Sequence, residues 1–399
     1  MLFAFVSFLL LPSIAADCND DDRSIFLWSF RKEETGSQGY LFGTIHVPFT
    51  DVWDRVSDRV REAFALSDTV LLEVDLNNEE TLRKLVRCKK LPRKQTALSY
   101  LPVELFARIK TFMSKFRQHL HHASQTPPAF DEGNMGHVQQ VFDHLAGNWH
   151  RKRPEWLLFT LYQLCENLLD RSSAPMLDVY LATKALEKEK RLEAIETAEE
   201  QCNPVSDIPL DDIVFAIGYT VQFLEKMYFG NGAVKKERSI SELTESYRCG
   251  NLEAQLLEAS DYDRKVPGIS SHERDRARSI DQSLKDDIIT KRNTRMANRI
   301  DKLVRESPNN TTFTAIGTGH FLGDKSILHH LQRLGYIIEP IREKDKLQSN
   351  IRTPLKVKSM WTRDFVPKPP LVVIEIINYS TNYGSFQYLI CFVLLRLFL

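Results

Sequence analysis

The chain has 399 residues, of which 43% are hydrophobic, enough for a substantial core in one large domain or two smaller ones. Its 53 basic residues equal its 53 acidic residues, so no global charge favours binding to nucleic acid. We therefore predict no nucleic-acid partner.

The N-terminus has the pattern of a secretory signal peptide. Residues 1–16 form an apolar run that ends in Ser13-x-Ala15, a cleavage site with small residues. The run contains no Lys or Arg, so only the amino terminus supplies a positive charge there. An uncleaved anchor is the alternative, but it would need a longer apolar span.

Strand patterns occur near both ends of the chain, and the middle is mostly helical. Apolar and β-branched runs predict strands at residues 24–30, 39–42, 69–76, 191–197, 312–316 and 336–340. Apolar spacing of three and four residues predicts helices at residues 57–67, 102–118, 138–147, 154–169, 176–188, 210–227, 239–247, 252–260, 275–305 and 326–334. The pattern indicates an α/β fold with a mixed central β-sheet, many flanking helices and a large helical insert.

The composition changes after the predicted domain, which spans residues 24–341. Residues 342–384 are rich in Lys, Pro and polar side chains and are interpreted as a stalk. Residues 385–399 are apolar to the end, yet short for a membrane span, and they include Arg396. A lipid-anchor signal is a comparable alternative. With either anchor, the protein would lie at the extracellular face of the plasma membrane.

The cysteines and sequons fit the same secretory route. Six cysteines occur without a Cys-x-x-Cys pair, so disulfide bonds are favoured over a zinc site. Cys88, Cys202 and Cys249 lie in polar surroundings and are the disulfide candidates, whereas Cys165 fits a free core thiol. The connectivity stays open. Acceptor sequons for N-glycosylation begin at Asn309, Asn310 and Asn378.

Two Gly-x-x-His motifs follow predicted strands, at Gly43 to His46 and at Gly317 to His320. A single match means little, and a third one ending at His150 follows a helical pattern and precedes a basic run. Because strand, motif and helix recur near both ends, a weak internal duplication would place the two motifs on neighbouring strands. The carboxyl edge of such a sheet is where active sites collect.

The two histidines and a strand carboxylate suggest a metal site. Imidazole is a strong ligand for transition metals, and Glu73 lies in an apolar strand, where a carboxylate is costly unless paired or metal-bound. Asp75 would project from the same face of that strand. We predict His46, His320 and Glu73 as ligands, a set that suits Mn²⁺, Co²⁺, Fe²⁺ or Zn²⁺ and leaves positions for water and substrate.

Charged residues elsewhere offer catalytic assistance. Arg292 can stabilise an oxyanion, although a charged helical run is usually a solvated face. Glu196, Glu199 and Glu200 follow a predicted strand. They can supply a general base, support the site, or simply favour a helix N-terminus.

The chain closely resembles the Tiki metalloproteases, which belong with the TraB and erythromycin-esterase-like group. The matching segments are residues 26–28, 40–48, 146–149, 151–154, 177–178, 199–202, 247–250, 291–293 and 317–321. The resemblance implies a membrane-tethered protease, dependent on Mn²⁺ or Co²⁺, that cleaves the amino-terminal region of Wnt proteins and inhibits Wnt signalling. Two departures stand out: His150 replaces an acidic residue, and the tail is a less clear membrane segment.

The resemblance also implies roles for single residues. His46 and His320 take the paired-motif positions and Glu73 the strand-glutamate position. Arg292 and Glu200 are assigned with Glu73 to catalysis, and Asp75, Asp178, Asn148 and Asn293 are assigned to support. Two alternatives stay open: a metal-dependent esterase or peptidase with another substrate, and a non-catalytic Wnt-binding decoy with a structural metal.

Overall fold

Six strands form one mixed β-sheet through the protein. The computed structural model describes residues 23–45, 47–124, 132–164, 174–205, 207–230, 240–252 and 269–347. The strands are β1 Leu27–Lys32, β2 Ser37–Thr44, β3 Thr69–Leu72, β4 Arg191–Ala194, β5 Thr311–Gly317 and β6 Ile337–Ile341. Their order is β4-β3-β5-β2-β1-β6. Strands β4, β3, β5 and β2 are parallel neighbours, whereas β1 is antiparallel to β2 and to β6. The predicted mixed α/β sheet is confirmed.

Helices account for most of the remaining described chain. They are α1 Phe49–Val52, α2 Asp58–Leu66, α3 Glu79–Cys88, α4 Val103–Ser124, α5 Glu132–Ala146, α6 Pro154–Gln163, α7 Leu177–Glu187, α8 Ala198–Cys202, α9 Leu210–Phe229, α10 Ile240–Arg248, α11 Ser271–Lys285, α12 Lys291–Glu306 and α13 Ile327–Arg333. Three-residue 3₁₀ turns lie at Trp53–Arg55, Ala97–Ser99 and Trp149–Arg151, and a four-residue one at Thr318–Phe321. The mostly helical stretch between the motif strands β2 and β5 agrees with prediction, although α1 and α3 were not predicted.

The three central strands, β2, β3 and β5, are buried on both faces, which explains why they read as almost continuous apolar runs. Successive side chains of a strand point to opposite faces. Phe42 and Phe313 accordingly join one core cluster, whereas Leu41 and Ile316 join another. The second cluster also contains Met296 and other apolar residues of α12. Helix α12 therefore packs directly on the sheet.

Strands β2 and β5 are parallel neighbours, as the duplicated motif predicts. Thr44 is opposite Gly317 in the ladder, so both strands end at the same edge. The Thr318 hydroxyl donates to the Thr44 carbonyl at 2.9 Å, which joins the two motifs directly. This edge is the one at which β3 also ends, because Leu72 pairs with Ala315.

Two predicted strands were too long. β3 ends at Leu72 instead of residue 76, and β4 ends at Ala194 instead of residue 197. The backbone N–H of Glu196 still donates to the Glu73 carbonyl at 2.8 Å. Glu73 therefore directly follows its strand, and the prediction that Asp75 shares its strand face does not apply.

The predicted helix over 275–305 is helical throughout but contains one wider turn. Helices α11 and α12 are joined by a five-residue π-helical turn, Asp286–Thr290. Such turns commonly occur at functional sites. Arg292 and Asn293 lie just after the turn, in the first turn of α12, and both are buried.

Gly43 allows the close approach of β2 to the turn after β5. A Cβ at this position would lie 2.9 Å from Thr318 Oγ1 and 3.3 Å from Phe26 Cβ. Because Thr318 is held by its hydrogen bond to Thr44, we expect Gly43→Ala to lower the free energy of unfolding by about 1–3 kcal/mol. Denaturant unfolding curves measure the change.

Gly218→Ala is the matched control for this substitution. Gly218 lies inside α9, and its new Cβ would meet only the Leu105 methyl groups, at 3.7 and 3.8 Å. We expect a gain of about 0.5–1 kcal/mol from the better helix former. If both variants shifted stability in the same direction, the close packing of Gly43 would not be its structural role.

Several predicted features lie outside the described residues: the signal peptide at 1–16, His46, Cys165, Asn378, most of the stalk at 342–384 and the tail at 385–399. Within the described ranges, no helix is both long and apolar enough to cross a membrane.

Candidate active site

Glu73 is a buried carboxylate at the sheet edge where β2, β3 and β5 end, with only 2% of its surface exposed. Its Oε1 accepts from the Gly317 N–H at 2.9 Å, which links it to the second motif. Its Oε2 accepts from Arg292 Nη2 at 2.9 Å and lies 3.5 Å from Gln201 Nε2. Contacts to both oxygens are those of an ionised carboxylate.

Glu196 forms the second half of this buried cluster. Arg292 Nε donates to its Oε1 at 3.0 Å, and Arg292 Nη2 donates to its Oε2. Arg295 Nη2 and Gln201 Nε2 donate to Glu196 as well, each at 2.8 Å. The structure thus joins two strand-end carboxylates through one buried guanidinium.

Arg292 remains charged in this setting. Burial acts to lower the pKa of its guanidinium, but Glu196 and Glu73 outweigh burial and raise that pKa. Its Nη1 donates to the Ile288 carbonyl in the π-helical turn at 3.2 Å. The wider turn therefore helps to fix the guanidinium between the two carboxylates.

His320 lies three residues after Gly317, whose N–H binds Glu73, and it is fully buried. It is on the 3₁₀ turn after β5, and its Nδ1 lies 2.6 Å from Asn293 Oδ1. Asn293 Nδ2 donates to the Lys325 carbonyl at 2.8 Å, so the amide presents its oxygen to the histidine. This network assigns a proton to Nδ1, so that in the neutral ring the lone pair lies on Nε2.

Adjacent residues of α12 connect the two halves of the site. Arg292 binds Glu73, and Asn293 binds His320. A histidine whose Nδ1–H is fixed by a polar partner, with Nε2 carrying the lone pair, has the arrangement of a metal ligand. Among the described residues, no group of three His, Cys, Asp or Glu side chains could hold a metal ion. The assignment of His320 and Glu73 as ligands stays a prediction, and His46 lies outside the described part.

The comparisons identify the family of this chain. The model of the TraB/PrgY/gumN family matches residues 26–340. The chain belongs to the TraB/PrgY/gumN family. It is 34% identical over 325 residues to Metalloprotease TIKI2 of Danio rerio, covering 80% of this chain and 61% of that protein.

Further relatives extend the match. Metalloprotease TIKI1 of Xenopus tropicalis is 32% identical over 372 residues, covering 90% of this chain and 70% of the relative. Metalloprotease TIKI1 of Homo sapiens is 31% identical over 358 residues, with coverages of 88% and 68%. The predicted resemblance to Tiki proteins is confirmed, and the names of these relatives imply a divalent metal. No solved structure gives a significant match.

The structure also locates the other residues that were predicted to support the site or to carry glycans in this TraB/PrgY/gumN chain. Asp75 accepts from the Asn77 N–H at 2.9 Å in a local turn. Asp178 is buried and accepts from the Thr44 hydroxyl at 3.4 Å, so it contacts the end of β2. Asn148 is an exposed turn residue before Trp149. Asn309 is exposed and Asn310 half-buried, in the turn before β5. The roles predicted for these residues stay predictions.

Glu200 caps a helix. Its side chain accepts from the Thr197 N–H at 2.7 Å, and the Thr197 hydroxyl accepts in return, which forms a capping box on α8. It also pairs with Arg299 at 2.8 Å. Burial raises the pKa of Glu200, but Arg299, the Thr197 N–H and Arg295 together lower it to about 2. The contacts are those of a structural ion pair, and its catalytic role stays a prediction.

We expect Glu200→Gln to cost about 1 kcal/mol of unfolding free energy at pH 7, since a partly exposed pair is screened by solvent. The folded-state pKa, about 2, is below the ordinary value of 4.5, so this stabilisation is complete above pH 4.5. It is lost as the pH falls toward 2. Unfolding curves from pH 7 to 2 should converge for the variant and the wild type, and a constant difference would contradict this.

A disulfide ties α8 to α3. Cys88 and Cys202, both predicted partners, are bonded, with their Cα atoms 5.7 Å apart. They are the last residues of their helices rather than loop residues. Cys249 is also disulfide-bonded. Since Gln201 directly precedes Cys202, the bond fixes the chain next to the two carboxylates.

Proposed function

We propose that this chain is a metal-dependent protease that cleaves the amino-terminal region of Wnt proteins and so restrains Wnt signalling. The observation that carries the proposal is the joining of Glu73 and His320 by adjacent residues of α12. The metalloprotease names of the relatives support it. The chain spans about 61–63% of the length of the two Danio rerio relatives. We therefore assign their activity to this chain only as a proposal.

We propose a divalent ion, Mn²⁺ or Co²⁺, as the cofactor, held by His46, His320 and Glu73. Such an ion acidifies a bound water and polarises a carbonyl when it is present. Asn293 keeps the His320 lone pair on Nε2, and Gly317 keeps Glu73 oriented through Oε1. Arg292 pairs with both Glu73 and Glu196, and the burial of all three side chains excludes water around them.

The extracellular face of the plasma membrane is the proposed location. The Cys88–Cys202 disulfide is typical of a secreted chain, and the exposed Asn309 is accessible to glycosylation. The predicted signal peptide, stalk and hydrophobic tail would deliver and tether the domain. The membrane and a Wnt protein are thus the proposed partners.

The test is mass spectrometry of a purified Wnt protein incubated with the secreted protein. Incubations contain Mn²⁺, Co²⁺ or a chelator, and we expect a new amino-terminal fragment only with metal. His320→Ala should abolish the fragment, whereas His329→Ala, which changes an exposed histidine on α13, should not.

Two outcomes would contradict the proposal. Wnt binding without cleavage, in protein of unchanged fold, would support a decoy. Cleavage that persists in chelator and in His320→Ala would exclude this site as its source.

A further inference from the structure

Two carboxylates share Arg292 unequally. Glu196 accepts from both Nε and Nη2 of the guanidinium, so it takes one complete edge of the fork. Glu73 accepts only from Nη2, at 2.9 Å. Glu196 is therefore the principal partner of Arg292.

Glu196 is held independently of Glu73's carboxylate. Arg295 and Gln201 donate to its two oxygens at 2.8 Å, and none of its side-chain surface is exposed. Its backbone N–H is fixed to the Glu73 carbonyl. This network keeps Glu196 in place whatever the Glu73 side chain binds.

Glu73 has a second attachment that does not involve Arg292. The Gly317 N–H holds Oε1 at 2.9 Å, so the carboxylate stays oriented if Oε2 exchanges its partner. The guanidinium would still have the two hydrogen bonds to Glu196. Breaking the Glu73 contact therefore leaves no buried charge unpaired, a situation that would otherwise be strongly destabilising.

We propose that Glu196 is a positioning residue that retains Arg292 when Glu73 coordinates a divalent ion, and that it thereby sets the metal affinity of the site. Without Glu196, the guanidinium would be left with Glu73 and would compete with the metal for that carboxylate. The inference rests on the proposed metal site, because it takes Glu73 as a ligand.

The test is titration of the full chain with Mn²⁺, with free Mn²⁺ followed by electron paramagnetic resonance. We expect Glu196→Gln to weaken Mn²⁺ binding by about 10- to 100-fold, the range typical of residues that orient metal ligands. Glu193→Gln is the matched control. It removes the same charge from β4, where Glu193 pairs with Arg191 at 2.8 Å, and it should leave the affinity unchanged.

The double variant Glu196→Gln with Arg292→Gln separates positioning from a merely structural role. With the guanidinium removed, nothing competes for Glu73, so we expect affinity near that of the wild type. If the double variant bound Mn²⁺ as weakly as Glu196→Gln, the inference would be overturned. Circular dichroism and thermal unfolding identify any variant that fails to fold. The double variant removes one positive and one negative charge, so it keeps the net charge of the wild-type cluster and carries the comparison if Glu196→Gln alone does not fold.

Ionic strength separates a local contact from a general charge effect. A loss of affinity caused only by the missing charge should shrink at high salt, whereas competition at a buried pair should persist. If Glu196→Gln bound Mn²⁺ as tightly as the wild type at high salt, the inference would be overturned. If the wild type binds neither Mn²⁺ nor Co²⁺, or if His320→Ala leaves binding unchanged, the proposed function fails instead. Equal affinity of Glu196→Gln and wild type, with binding that depends on His320, defeats this inference alone.

Discussion

Replacing Arg292 with glutamine should lower the free energy of unfolding by about 3–5 kcal/mol, because it leaves two buried carboxylates without their shared cation. Glu73 and Glu196 are 2% and 3% exposed, so water cannot replace the lost charge. Glu73 would keep only the neutral donors Gly317 and Gln201. Glu196 would keep Arg295 at 2.8 Å, a cation whose side chain is 37% exposed and therefore screened by solvent. Urea unfolding at neutral pH, with disulfides intact, measures the loss.

Arg299→Gln is the matched control for this prediction. Arg299 lies on the same helix and pairs with Glu200, but 30% of its side chain is exposed, so we expect a cost of about 1 kcal/mol or less. Adding Glu196→Gln to Arg292→Gln should recover part of the stability, because it removes a buried carboxylate that has lost its main cation and keeps only the partly exposed Arg295. A loss for Arg292→Gln no larger than that for Arg299→Gln would show that the buried cluster does not depend on the cation.

The centre of the sheet was predictable from sequence because its strands β2, β3 and β5 are buried on both faces. Such strands read as apolar runs, so β2 and β5 were located within a few residues, and their repeated motif predicted that they would be neighbours. Strand ends were less predictable. The apolar pattern of β3 continues through Val74, which is buried, although the strand itself ends at Leu72.

Site residues could be predicted where their immediate sequence context is unusual. Glu73 stands out as a carboxylate in an apolar strand, and His320 as the end of a motif. Glu196 carries the same signal, since it follows Ala194 and Ile195 at the end of β4, but two neighbouring glutamates obscured it. Only the fold shows that Glu196 contacts Arg292, whereas Glu200 caps α8.

The role of Gln201 and the geometry of α12 could not be predicted. Gln201 lies 128 residues after Glu73, and Arg292 lies 96 residues after Glu196 and 219 after Glu73, so only the fold brings these side chains together. The π-helical turn also has no sequence signature comparable to that of a cap. The charged run at 291–295 suggested a solvated face. Instead Arg292 and Asn293 point into the protein, because α12 packs on the sheet.

Replacing Asn293 with alanine should weaken Mn²⁺ binding by about 10- to 100-fold, because His320 would lose the partner that fixes its tautomer and ring orientation. In the wild type, the 2.6 Å contact to Asn293 Oδ1 keeps the lone pair on Nε2. The variant also leaves the Lys325 carbonyl without its donor. We therefore expect a stability loss of about 1–3 kcal/mol beside the loss of affinity.

The two effects of Asn293→Ala are separable by experiment. Metal titration reports the affinity, and urea unfolding in chelator reports stability alone. Asn298→Ala, at an exposed position of the same helix, is the matched control and should change neither quantity appreciably. A stability loss with unchanged Mn²⁺ affinity would mean that Asn293 only holds the turn around Lys325. The metal would then bind without dependence on the His320 tautomer, and His320 would cease to be the best-supported ligand.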